Sequence, residues 1–167
     1  SAHLSNPNAM SIATVYRKIG EAVNANIVKQ MEAQGHTMTG SFEQSLEVLT
    51  DDNGVSGVGN TYGIYLNLGV KASEIKYPYA RARIDGLTKF AQFRMGVDEK
   101  TGRSIAFAIA TKHAREGMPT QGSYKYSKNG KRTDMIDDAI EQADEEIQQI
   151  IFDEFITIIN KSVNITG

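Results

Sequence analysis

Residues 134–159 read DMIDDAIEQADEEIQQIIFDEFITII, and this stretch decides the fold class. Met135, Ile136, Ala139, Ile140, Ala143, Ile147, Ile150, Ile151, Phe155 and Ile158 recur at steps of three and four, the spacing of one apolar helix face. Asp134 stands where an N-cap is wanted, and Asp137, Asp138 and Glu141 put negative charge on the first turns, where the macrodipole favours it. At 1.5 Å per residue such a helix of some 25 residues is roughly 38 Å long. A compact domain of this size has a radius of gyration of about 15 Å, so the helix is as long as the domain itself. Beyond Phe155 the β-branched run makes its end ambiguous, with a short strand over 162–166 as the alternative.

A second helix of the same kind opens the chain. Ile12, Val15, Tyr16, Ile19, Ala22, Val23, Ile27 and Met31 share one face. Gly35 is placed to cap the helix, and Gly20 is its weak point. Residues 1–10 are polar and aperiodic and read as a disordered or tag-like segment, leaving 11–167 as a single domain.

Between these helices the pattern changes. Residues 42–50 alternate as a strand, Asp51-Asp52-Asn53-Gly54 supplies turn chemistry, and the glycine-rich 55–59 returns as the second strand of a hairpin. The apolar and aromatic run Tyr62–Gly69 is expected to pack on the core. Ile84, Leu87, Phe90, Ala91 and Met95 mark a short helix, and Asp98–Gly102 a polar turn. Ile105, Ala106, Ile109, Ala110 and His113 mark another helix, which Gly117 and Pro119 stop. The loop 120–132 is polar, basic and expected to be mobile. The class that follows is α+β: long N- and C-terminal amphipathic helices on a small antiparallel sheet, with two short helices between.

The 167 residues include no cysteine, which removes a disulfide framework, a thiol nucleophile and sulfur-bound zinc. Three scattered histidines give little basis for an imidazole metal site. No apolar run approaches the 18 or so residues of a membrane span. Gly54, Gly57, Gly59 and Gly63 fail the nucleotide-loop patterns and suit a twisted or bulged strand. The carboxylates Asp144, Glu145, Glu146, Asp153 and Glu154 lack a helical Glu-x-x-His and read as a solvated face. His113 has no nucleophile motif around it and suits the end of its helix. Neither a catalytic nor a metal site is expected.

Charge is the informative quantity. The net value is −2, yet residues 71–132 hold 14 Lys/Arg against 5 Asp/Glu, and residues 133–167 hold 1 against 9. Such asymmetry concerns partners and association: the basic middle meets nucleic acid or the acidic tail of a neighbouring copy, or the two segments neutralise each other inside one subunit. Tyr124, Lys125, Tyr126, Lys128, Lys131 and Arg132 interleave aromatic and basic side chains. Such a group grips phosphates and bases, or anchors a protein interface. The interface is the stronger reading, because no nucleic-acid-binding module is present.

The order of pieces resembles a known family. An opening helix is followed by Thr39-Gly40, a strand with Ser45-Leu46, and Tyr62-x-x-Tyr65-Leu66-x-Leu68-Gly69. A basic Pro-containing loop, two short helices, a Gly117 loop and a long last helix complete it. Over Ser11–Ile159 this is similar to the tail-completion and head–tail joining (neck) proteins of tailed bacteriophages. It departs from them at Asn67 or Leu68, where an acidic residue is common, and at Met135-Ile136, where Phe-Leu is.

The resemblance implies a structural virion protein, not an enzyme, that needs no cofactor and forms a ring, usually a hexamer. It would be made in the bacterial host cytoplasm and sit in the neck or tail, bound to portal-side and tail-tube proteins. Lys71, Lys76, Arg81 and Arg83 would then be candidates to face DNA in the lumen. The alternative is a small nucleic-acid-binding protein using the basic segment 71–132.

Overall fold

The computed structural model describes residues 12–36, 41–51 and 53–164; the expected N-terminal segment 1–10 lies outside them. The fold is α+β, with long N- and C-terminal helices packing together beside a two-stranded antiparallel sheet and shorter helices between. The elements are α1 (Ile12–Ala33), β1 (Glu47–Thr50), β2 (Val55–Val58), α2 (Tyr62–Leu68), α3 (Arg81–Met95), α4 (Glu99–Glu116) and α5 (Met135–Asn164), with three short 3-10 turns. Contacts divide the chain into two compact units. One comprises residues 1–30, 41–60 and 136–167, and the other 31–40 and 61–135.

In the first unit the hairpin lies on α1. Its register pairs Glu47 with Val58, Val48 with Gly57, Leu49 with Ser56 and Thr50 with Val55, without a bulge. Asp51 builds the turn: its carboxylate accepts from the backbone of Asn53 (2.7 Å) and Gly54 (3.0 Å). Val48 and Val55 face α1 at Gly20, where an added Cβ would stand 2.5 Å from Val48 and 2.9 Å from Val55. Gly20 is therefore the seat of the hairpin, and its poor helix propensity is offset by that close approach.

The strand expected over 42–50 begins only at Glu47, because Glu43–Ser45 forms a 3-10 turn. The Ser45 hydroxyl donates to Phe42 O (2.6 Å) and accepts from Asn60 N (2.9 Å), a local bonding pattern that competes with the ladder. Phe42 is buried, and it and Leu46 close over Gly59.

Helix α5 runs for 30 residues, about 45 Å, so no strand forms over 162–164; residues 165–167 lie outside the described residues. Its inward line is Ala139, Ala143, Ile147, Ile150, Glu154 and Thr157, all buried or half-buried. The continuous inward apolar face expected from the spacing does not occur. Past Ile150 the large apolar side chains turn outward, and Ile151, Phe152, Phe155 and Ile158 are each more than half exposed.

The second unit is built on the α3–α4 pair. Ile84, Ala106 and Ala110 form its buried centre, with Leu87 packed against them. Gly102, Ala106 and Ala110 recur every four residues and let the helices approach closely; a Cβ on Gly102 would stand 3.2 Å from Thr88 O. Asp98–Gly102 is thus not a free turn. Asp98 caps α4 by accepting from Thr101 N (2.7 Å), and Gly102 sits inside the helix. The expectation that Tyr62–Gly69 packs on the core also fails. It forms α2, whose buried residues are Gly63 and Asn67, while Leu68 is 71% exposed.

Both close approaches are testable by thermal denaturation. Gly102→Val should destabilise the protein by about 1–3 kcal/mol through overpacking. Gly20→Ala should lower the melting temperature, although Ala improves helix propensity at an open site.

Candidate interaction surface

The ten basic and aromatic residues singled out in the sequence all fall in the second unit. Two segments carry them, and both start at one bridge. Val70 N donates to Met118 O (2.7 Å) and Met118 N to Val70 O (2.8 Å). Gly69 and Gly117 flank it at φ 71° and 82°, where Cβ atoms would come within 2.7 Å of the opposite carbonyls. Here glycine is required for both reasons, conformation and space. The peptide bond between Met118 and Pro119 is cis.

The loop 120–132 is more built than expected. Gln121–Tyr126 is a 3-10 helix, and Lys128 N donates to Ala33 O at the end of α1 (2.7 Å). Asn129 Oδ1 accepts from the Ser127 hydroxyl (2.9 Å) and Lys131 N (3.0 Å). The side chains of Lys125, Lys128 and Lys131 remain exposed, with Lys125 over the Tyr126 ring at 4.9 Å. Tyr124 and Tyr126 are exposed as well.

Arg132 belongs to a different class. Its Nη1 donates to Gln34 O, and fully buried Gln34 returns a bond from Nε2 to Thr133 O (2.8 Å). His36 Nε2 lies 3.1 Å from Gln34 Oε1 and from Arg132 O. Both partners are acceptors, so this nitrogen carries the hydrogen. Gly35, at φ 72°, would drive a Cβ into Tyr126 O; it is the helix cap the sequence indicates and also a contact point for the loop. Arg132 is a brace that ties 120–135 to residues 34–36.

Among the remaining four, Lys71, Lys76 and Arg81 are exposed. Lys71 N is bonded by Glu74 Oε2 (2.8 Å), and Arg81 pairs with Asp85 at 3.7 Å on the open surface. Arg83 is half-buried: Nη2 donates to His113 Nδ1 (3.0 Å) and reaches Met118 Sδ (3.7 Å). His113 therefore accepts, and it serves as a neutral partner for Arg83 as well as the end of α4.

Sequence reading missed the exposed apolar groups. Ile64, Tyr65 and Leu68 of α2 face away from Gly63 and Asn67. The signal was present, since small Gly63 and polar Asn67 lie four apart on one side of the helix. Tyr79 and Phe107 stack at 6.2 Å, with Arg103 over Phe107 at 5.7 Å. Among the described residues no cluster of His, Asp or Glu could hold a metal ion, and no helix is long and apolar enough to cross a membrane.

The division into units sharpens the charge split. The first unit holds 4 Lys/Arg against 13 Asp/Glu, a balance of −9, and the second 14 against 7, a balance of +7. Compared with protein families, curated proteins and solved structures, the chain matches none.

Burial, and next the adjacent arginine, lowers both His36 and His113 to about 4. The unfolded chain binds protons at these sites near 6.5 and the folded chain only near 4. Stability should therefore fall as pH drops from 6.5 towards 4, and level below that for these groups. A melting temperature lower at pH 5 than at pH 7, with the difference reduced in His36→Gln and His113→Gln, is the expected result. Separately, Arg132→Ala should lower the melting temperature clearly at pH 7, whereas Lys128→Ala should leave it within a degree or two.

Proposed function

We propose that this chain is a structural virion subunit of the bacteriophage neck or tail terminus, assembling as a ring, six copies to the turn. It joins the portal or adaptor side of the head to the tail tube, and it works by binding, not by catalysing a reaction. The observation that carries this reading is the separation of charge: −9 on one compact unit and +7 on the other. A ring requires heterologous contacts, in which two different faces of each subunit meet. Oppositely charged units with exposed apolar side chains on each supply two such faces. The order of pieces over residues 11–159, which resembles neck and tail-completion proteins, is the second support.

In such a ring the exposed lysines have two uses. Lys125, Lys128 and Lys131, beside Tyr124 and Tyr126, suit contact with an acidic neighbour. Lys71, Lys76 and Arg81 suit non-specific contact with DNA phosphates in the lumen. Arg83 and Arg132, engaged inside the unit, serve these surfaces by holding them. A nucleic-acid-binding protein is the second reading, favoured by the exposed Tyr126 ring under Lys125.

Light scattering over a range of concentration and salt, with electron microscopy of the same samples, tests the proposal. A closed ring of defined mass that loosens with salt is expected. Replacing Lys125, Lys128 and Lys131 together by Glu should weaken assembly at an unchanged melting temperature. A chain that stays monomeric and binds duplex DNA with an affinity falling linearly in log salt would favour the second reading instead.

A further inference from the structure

We propose that the outward apolar face of α5 docks on the exposed face of α2 in a second copy of this chain, head to tail. The inference rests on the self-assembling reading above and names the two surfaces that meet.

The first surface is sided in an unusual way. In the last half of α5 the line that faces the subunit's own first unit carries Glu154 and Thr157. The opposite arc carries Ile151, Phe152, Phe155, Ile156, Ile158 and Ile159, between 38% and 59% exposed. At 100° per residue these fall within a little under half the helix circumference, with Asp153 and Asn160 at its edge. Large side chains exposed to this degree present on the order of 600 Å² of surface. That is at the top of what a monomer leaves open, and it approaches the ~800 Å² that each partner of a standard interface covers.

The choice of occupant follows from charge and from the second surface. A symmetric pairing of α5 on α5 would bring two units of −9 together, and like-charge juxtaposition opposes such a contact. The unit of +7 has its own apolar face on α2, where Ile64, Tyr65 and Leu68 point away from buried Gly63 and Asn67. Lys71 and Lys76 follow α2 directly and are exposed, while Asp153 borders the α5 arc; in this contact the two lysines meet acidic groups of the neighbouring copy in place of DNA phosphates. Apolar surface then meets apolar surface, with opposite charges at the rim. Because the two surfaces differ, each copy keeps one face free, and the contact propagates until it closes.

The test uses the full chain and two variants, Phe155→Glu on α5 and Leu68→Glu on α2. Both positions are more than half exposed, so circular dichroism and melting should match the parent. Sedimentation velocity over a range of concentration is expected to show each variant alone as a monomer where the parent associates, with affinity reduced more than tenfold. Mixed one to one, the variants should form dimers and nothing larger, since the mixture retains a single intact contact per pair.

If Leu68→Glu associates like the parent while Phe155→Glu does not, the inference is overturned; a mass that stops at the dimer means that α5 pairs with itself and removes the ring reading as well, whereas a larger closed mass means another surface and leaves the ring reading standing. If Phe155→Glu lowers the melting temperature without changing the parent's mass distribution, the face is covered within its own chain, and the inference fails. A parent that is monomeric at every concentration overturns both. Complementing variants from a parent that forms open chains would keep the inference and remove the ring. Should Phe155→Glu not fold, Phe152→Ser takes its place in the same mixture.

Discussion

A half-buried guanidinium bonded to a backbone carbonyl is the interaction on which the basic unit depends. Arg132 bonds Gln34 O, Gln34 bonds Thr133 O, and His36 reaches Arg132 O, so the end of α1 and the segment before α5 are joined by side chains acting on main-chain groups. Loops as polar as 120–132 have no apolar face with which to hold themselves. Here the holding is done from beneath, by hydrogen bonds in a partly dry setting where they count for more than in water. The second arginine works in the same manner, with Arg83 on neutral His113 and Met118. Both arrangements need an uncharged imidazole next to an arginine, and burial keeps each histidine in that form at neutral pH.

This explains a division of labour among cations that composition conceals. Lysines are strongly hydrated and stay at the surface; arginine is less so and accepts partial burial. Lys125, Lys128 and Lys131 remain open to solvent, whereas Arg132, adjacent in sequence and identical in charge, is withdrawn. A reading that groups these residues by charge alone treats as one surface what the fold splits into a face and its support.

The parts of the fold legible in the sequence are those where one periodicity dominates. The long helices, the hairpin turn at Asp51–Gly54, the Gly35 cap and the stop at Gly117 all follow from spacing and local chemistry. What was not legible depends on close approach. Gly20 looks like a defect in a helix until Val48 and Val55 are seen against it, and Gly102 looks like a turn until Thr88 is. The aromatic run 62–69 has enough apolar residues for a core strand, yet its inward positions are Gly63 and Asn67. In α5 the spacing is helical throughout, but a 3.6-residue repeat does not say which side is inward. Composition gives the existence of an apolar face; only packing gives its direction. The candidate site divides similarly, with its lysines, its tyrosines and Arg81 exposed, and Arg83 and Arg132 committed elsewhere.

The outward turn of α5 also bears on why the charges are segregated. A monomer with that much apolar surface invites contacts with any apolar partner, its own copies in every register included. Hydrophobic burial is non-directional and cannot by itself choose among them. In the proposed assembly, opposite net charges on the two units act over a longer range: they penalise acidic-on-acidic encounters and favour acidic-on-basic ones before the apolar faces touch. Affinity on this account comes from Phe152, Phe155, Leu68 and their neighbours, and orientation from the −9 and +7. An overall charge near zero is then compatible with order, because the specificity lies in where the charge sits and not in how much of it there is.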